Sequence, residues 1–196
     1  QLLFLIGTAN IQSGNNYNGV MYLEKFLDKN PNSAPALINM GNALKNLNKN
    51  IEAIISYNKA IKLDPQSADA FSNKGIALVN LSKFDEAIKS FDYAIKINPK
   101  HFFAYNNKGN ALFKLNRPRE AIICFNRAIE IKQDYIEALN GRATAYQKIK
   151  IYDKAIFDFE KILMLNPDYE YALGKFLHLK MLNCDWKNYE QIIKKI

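Results

Sequence analysis

Metal and redox chemistry have little to draw on in this chain, whose 196 residues include only two cysteines and two histidines. Cys124 and Cys184 lie far apart, at neither metal-ligand nor disulfide spacing, and read as free thiols in a reducing compartment. His101 and His178 are as distant, and neither has a carboxylate or cysteine at ligand or triad spacing. No glycine-rich phosphate loop occurs, and the internal glycines read as packing glycines. A converged nucleophile, an acid–base pair and a ligand set are all missing. The expectation is a chain that binds without catalysing and carries no cofactor. No apolar run is long enough to span a bilayer and no signal-peptide pattern is present, so a cytoplasmic protein without membrane insertion is expected.

Acidic residues are also in short supply. The net charge is +8, which brings nucleic acid or an acidic partner into consideration. The lysines, however, are scattered over turns and polar faces, as at Lys49, Lys59, Lys62, Lys83, Lys89, Lys96, Lys154 and Lys161, with no dense block. A solvated surface is the reading that fits them, and no nucleic acid is expected.

What the chain does have is a period. Pro31, Pro65, Pro99 and Pro167 share a spacing of 34 residues, with Gln133 in the skipped slot. Gly41, Gly75 and Gly109 form a second column, continued by Ala143 and preceded by Gly7. Ala53, Ala87, Ala121 and Ala155 form a third, Tyr57, Phe91, Phe125 and Phe159 a fourth, and Ala60, Ala94, Ala128 and Ile162 a fifth. Small residues recur where two helices must touch, and aromatics recur where the gap must be filled. A period of this length marks a solenoid of helix-turn-helix units. Within 34–67 the apolar residues Ala36, Leu37, Met40, Leu44 and Leu47 keep helical spacing. After the turn at Asn48-Lys49-Asn50, Ala53, Ile54, Tyr57, Ala60 and Ile61 keep it again. Pro65 ends the second helix, because proline has no amide hydrogen and constrains the residue before it.

These columns resemble the tetratricopeptide repeat over essentially the whole chain. The resemblance implies an all-α fold, a right-handed alpha-alpha superhelix in which each repeat has a helix A and a helix B. One superhelix is expected over 1–196: a degenerate repeat at 1–33, repeats at 34–67, 68–101, 102–135 and 136–169, and a capping helix pair at 170–196. The chain starts at Gln1 inside a helical pattern, and Ile192, Ile193 and Ile196 leave an apolar face at the other end. It reads as a fragment of a longer protein. The stretch Cys184-Asp185-Trp186 with Tyr189 resembles the junction between repeats and catalytic domain in O-linked N-acetylglucosamine transferases and SPINDLY-like relatives. Trp186 also reads as a plug for the last repeat.

The candidate binding surface is the concave face of the A helices. Its columns hold Asn39, Asn73 and Asn107, then Gly141; Ile38, Ser72, Asn106 and Asn140; Asn42, Ile76, Asn110 and Thr144; and Lys45, Val79, Phe113 and Gln147. A carboxamide can match both the donor and the acceptor of a peptide bond. The expected peptide-binding residues are therefore Asn39, Asn42, Asn73, Asn106, Asn107, Asn110, Phe113 and Asn140. The transferase family carries an asparagine ladder at the position of Asn39, Asn73 and Asn107, which implies the same use here, although Gly141 and Lys175 end the ladder. Adaptors of this fold that hold a terminal carboxylate need lysines and an arginine in slots filled here by Phe4 or Ile38, by Phe103 and by Asn107. The clamp is missing, so that mode is not expected. The leading function is a protein-interaction scaffold, the substrate-docking region of such a transferase. A stand-alone adaptor and a helical-repeat RNA binder are the alternatives. A homo-oligomer through the convex face or the terminal helix is a further possibility for its partners.

Overall fold

The computed structural model describes residues 1–182, so Cys184, Trp186, Tyr189 and the isoleucines of the C-terminus lie outside the described residues. Among the described residues all regular structure is helical. The helices are α1 (Leu2–Gln12), α2 (Asn16–Lys29), α3 (Ala34–Asn46), α4 (Asn50–Leu63), α5 (Ala68–Asn80), α6 (Phe84–Ile97) and α7 (Phe102–Lys114). They continue with α8 (Pro118–Ile131), α9 (Ile136–Lys148), α10 (Tyr152–Leu165) and α11 (Glu170–Leu182). Odd-numbered helices are the A helices and even-numbered ones the B helices. The chain forms two compact units, Gln1–Ala111 and the unit that begins at Leu112.

Two local devices set the period. The first ends the A helices α1, α3, α5, α7 and α9. Residues Gly14, Asn48, Ser82, Asn116 and Lys150, one per repeat, all have positive φ. The next amide reaches back into the helix, as Lys49 N–H does to the Leu44 carbonyl and Ile151 N–H to the Tyr146 carbonyl. This is the Schellman termination, in which a left-handed residue satisfies the last carbonyls. Gly14 is thus a turn residue with open space around it, which corrects its reading as a packing glycine. Asparagine tolerates this conformation; lysine carries the steric cost of its Cβ. Lys150→Gly is therefore expected to stabilise the second unit by about 1 kcal/mol, and Asn116→Gly by less. Urea unfolding of the two variants checks this, and an equal gain at both sites would count against it.

The second device ends the B helices α4, α6 and α10. The Asp64, Asn98 and Asn166 carboxylate or amide oxygens accept from the Gln66, Lys100 and Asp168 backbone N–H groups at 3.0, 3.0 and 3.2 Å. Pro65, Pro99 and Pro167 sit inside these turns, where no amide hydrogen is needed. Three A helices are capped at their starts: Ser33 Oγ accepts from Ala36 N–H, Ser67 Oγ from Ala70 N–H, and His101 Nδ1 from Ala104 N–H. Each cap satisfies one of the four free amides of a helix start.

The core of each repeat is the aromatic column. Tyr57, Phe91, Phe125 and Phe159 are fully buried, as the sequence predicts. In the first unit the rings lie against glycine backbone. A Cβ on Gly41 would stand 2.6 Å from the Tyr57 ring, and one on Gly75 would stand 2.5 Å from Phe91. The glycines let helix A approach helix B to ring thickness.

Candidate functional site

Six of the eight expected binding residues lie in the first unit, on α3, α5 and α7. Asn39 is partly buried, and its Nδ2 donates to Thr8 Oγ1 of α1 at 3.1 Å. Asn42 accepts on Oδ1 from the Tyr57 hydroxyl at 2.7 Å. That bond gives Asn42 a structural reason to exist, since a buried tyrosine hydroxyl needs a partner. In the next repeat the ring is Phe91, and the residue in Asn42's column is Ile76, packed against the Phe91 cluster. A polar ring meets an amide, and an apolar ring meets an aliphatic chain.

Asn73 and Asn107 are partly buried and make no side-chain hydrogen bond among the described residues; Asn110 is exposed. Asn106 differs from all of these. It is 4% exposed, and its Oδ1 has no hydrogen-bond partner among the described residues. A buried carbonyl without a donor is costly enough to need a reason.

Phe113 and Asn140 belong to the second unit and are partly buried, and Asn140 Oδ1 is likewise without a partner. Gly141 ends the asparagine column for a steric reason: a Cβ there would stand 2.6 Å from the Phe125 ring. No asparagine fits at that position without moving a fully buried ring.

Other amides in the first unit tie repeats together. Asn46 Nδ2 donates to Asn16 Oδ1 at 3.1 Å, and Asn80 Nδ2 donates to Asn50 Oδ1 at 2.9 Å. Each bond links an A helix to the preceding B helix.

The second unit holds a feature the sequence reading missed. Arg142 of α9 donates from Nε and Nη2 to both oxygens of Asp158 on α10, at 2.8 and 2.6 Å. Its Nη1 donates to Asn126 Oδ1 of α8 at 2.7 Å. Asp158 is 1% exposed. Burial pushes its carboxyl above the usual carboxylate range, against the opposing pull of the Arg142 hydrogen bond and charge. The pair forms the floor of an open cavity of about 330 Å³, whose walls include Tyr146, Asp153, Lys154 and Phe157. The Lys154 ammonium lies 5.6 Å from the centre of the Tyr146 ring. The signal was present in one column: Asp158 stands where earlier repeats have Ser56, Ser90 and Cys124.

Among the described residues no group of histidine, cysteine and carboxylate side chains is arranged to hold a metal ion. No described helix is long and apolar enough to cross a membrane.

Paired helices repeated at one period, with an aromatic column locked against small residues, define a helical-repeat interaction protein. Tetratricopeptide repeat models match residues 1–33, 22–55, 68–101, 102–135 and 136–169, and a TPR repeat model matches 41–82. The chain belongs to the tetratricopeptide repeat family. No curated protein matches it. Among solved structures it resembles MamA at 25% identity and a TM-score of 0.74, over 87% of this chain and 93% of that one. It also resembles YrrB, a TPR protein with an unusual peptide-binding site, at 22% identity and a TM-score of 0.71, over 88% and 89% of the two chains. PilF of Pseudomonas aeruginosa shares the fold at 19% identity and a TM-score of 0.85, over 97% of this chain and 87% of that one.

Proposed function

We propose that the chain is a protein-interaction scaffold that holds an extended peptide on the A-helix face of its first unit. The observation that carries this reading is the pair Asn73 and Asn107, one period apart on α5 and α7, partly buried and without a side-chain hydrogen bond among the described residues. Each carboxamide supplies the two-way contact a peptide backbone needs. Peptide binding by YrrB is consistent with this use of the fold. A stand-alone adaptor acting in the cytoplasm accounts for all of these features. The transferase-docking reading rests on Cys184, Asp185, Trp186 and Tyr189, outside the described residues, and the relatives named above lend it no support.

The test uses a random peptide library displayed on phage, selected against the whole chain, followed by titration of one selected peptide. Replacing Asn39, Asn73 and Asn107 together with alanine is expected to weaken that peptide roughly ten- to a thousandfold, at about 0.5–1.5 kcal/mol per lost contact. Thermal stability is expected to fall little, since only Asn39 of the three has a hydrogen-bond partner among the described residues. Affinity should depend weakly on salt. Unchanged affinity in the triple variant, or failure to select any peptide, would remove the asparagines from the function. Tight binding of single-stranded RNA with a steep salt dependence would favour the nucleic-acid alternative instead.

A further inference from the structure

We propose that the first unit selects peptides bearing an acidic side chain, which sits on Lys45 beside the amide of Asn42. The inference rests on the peptide-binding reading above and adds the chemistry that the face selects.

Ile38, Asn42 and Lys45 are four and three residues apart on α3 and so share one stripe of that helix. Ile38 packs against the cluster that contains Tyr57 and Ala77 of α5, so the stripe borders α5. At Asn42 the Tyr57 hydroxyl occupies Oδ1. The Nδ2 of the same amide makes no hydrogen bond among the described residues, so what the residue offers to a ligand is a donor pair.

Lys45 stands one helical turn further on. It is partly buried, and no carboxylate among the described residues lies within ion-pair distance. Three other cations of the A helices, in a different column of the repeat, have acidic neighbours. Lys108 is paired with Asp92, Arg142 with Asp158, and Lys74 has the charge of Glu86 acting on it. Lys45 has no such neighbour, and burial alone pushes its ammonium below the ordinary lysine range. A half-buried cation with no counter-charge is unfavourable until an anion arrives.

Charge on the surrounding helices points the same way. The sequences of α1, α3 and α5 contain one carboxylate, Asp69, and with Lys74 under the charge of Glu86, Lys45 is the cation of these helices that no acidic neighbour offsets among the described residues. Asp69 is engaged by His101 Nε2 at 3.2 Å, at the far end of α5 from the Lys45 level. An ammonium and an amide NH₂ on one stripe match a carboxylate, which accepts hydrogen bonds and donates none. The source is a side chain, because the slots that would grip a terminal carboxylate hold Ile38, Phe103 and Asn107.

The experiment is a random peptide library fused to phage coat protein at its C-terminus, so that side chains supply the only free carboxylates. Selection against the whole chain is expected to enrich Asp or Glu at one position of the recovered peptides. A recovered peptide, made as its C-terminal amide, should lose roughly ten- to a hundredfold in affinity when that acid becomes Asn or Gln, as for a charge-assisted contact. In Lys45→Met the acid and amide peptides should bind alike, and Lys45→Glu should enrich Lys or Arg. Melting of Lys45→Met at or above the wild-type midpoint establishes that the loss is not unfolding. Recovered peptides without an enriched acid, or an acid preference that survives in Lys45→Met, overturn the inference and leave peptide binding standing. A free C-terminus that restores binding to the Asn or Gln peptide would reassign the carboxylate to the chain end and overturn it too. Failure to recover any peptide overturns both readings.

Discussion

Replacing Phe91 with alanine is expected to cost about 3–5 kcal/mol, the range for truncating a core aromatic. The ring is fully buried among Leu78, Ala87, Ala94, Ala104 and Ala111. Four of those five neighbours are alanines, and longer side chains such as Phe71, Ile76, Phe84 and Ile88 pack against the cluster from outside it. The backbone of Gly75 lines another side, and it cannot advance without moving α5. In a repeat array each unit leans mainly on its neighbours, so the loss should spread locally. Hydrogen exchange should show α5 and α6 losing protection before α1 and α2. Uniform loss across the first unit would mean that its repeats melt as one body.

Removing the carboxylate of Asp158 should have the second large effect. Asp158→Ser leaves the Arg142 guanidinium without its bidentate partner, and breaking one side of a buried pair costs about 3–5 kcal/mol. The Arg142 side chain is 17% exposed, so water reaches it and the lower end of that range applies. The matching positions of repeat 34–67 hold Met40 and Ser56, an uncharged solution to the same packing problem. The double variant Arg142→Met with Asp158→Ser should therefore recover most of the loss. A double-mutant cycle measured by urea unfolding gives the coupling directly. Additive losses would show that the two side chains act independently despite their geometry.

Most of the fold was legible because its determinants are local. The turn residues, the prolines and the aromatic and small columns each act within one or two helices, and the period repeats them often enough to be seen. The pairings were harder to read. Asn46 with Asn16 and Asn80 with Asn50 bridge 30 residues, and nothing in an asparagine says which amide it will meet. The columns read were those of the small and aromatic packing residues, and the column of Ser56, Ser90 and Cys124 that holds Asp158 was not among them, so its partner Arg142 was overlooked too. Helix assignment of the candidate site held throughout, but accessibility could not be inferred. Asn106 and Asn110 are one turn apart on α7, yet one is buried and the other exposed. That difference comes from neighbouring helices and not from the asparagines themselves.

The match between Tyr57 and Asn42, and between Phe91 and Ile76, limits how this chain can be rearranged by recombination. If α3 exchanged its sequence with α5 while the B helices stayed in place, the Tyr57 hydroxyl would lie beside isoleucine, dry and without an acceptor. Phe91 would in turn face an amide it cannot satisfy. Exchange of a whole hairpin, α3 with α4 for α5 with α6, carries ring and partner together and leaves both satisfied. The smallest heritable part of this protein is thus the hairpin, and a crossover falling in the tight turn between helix A and helix B would divide what selection has to keep joined.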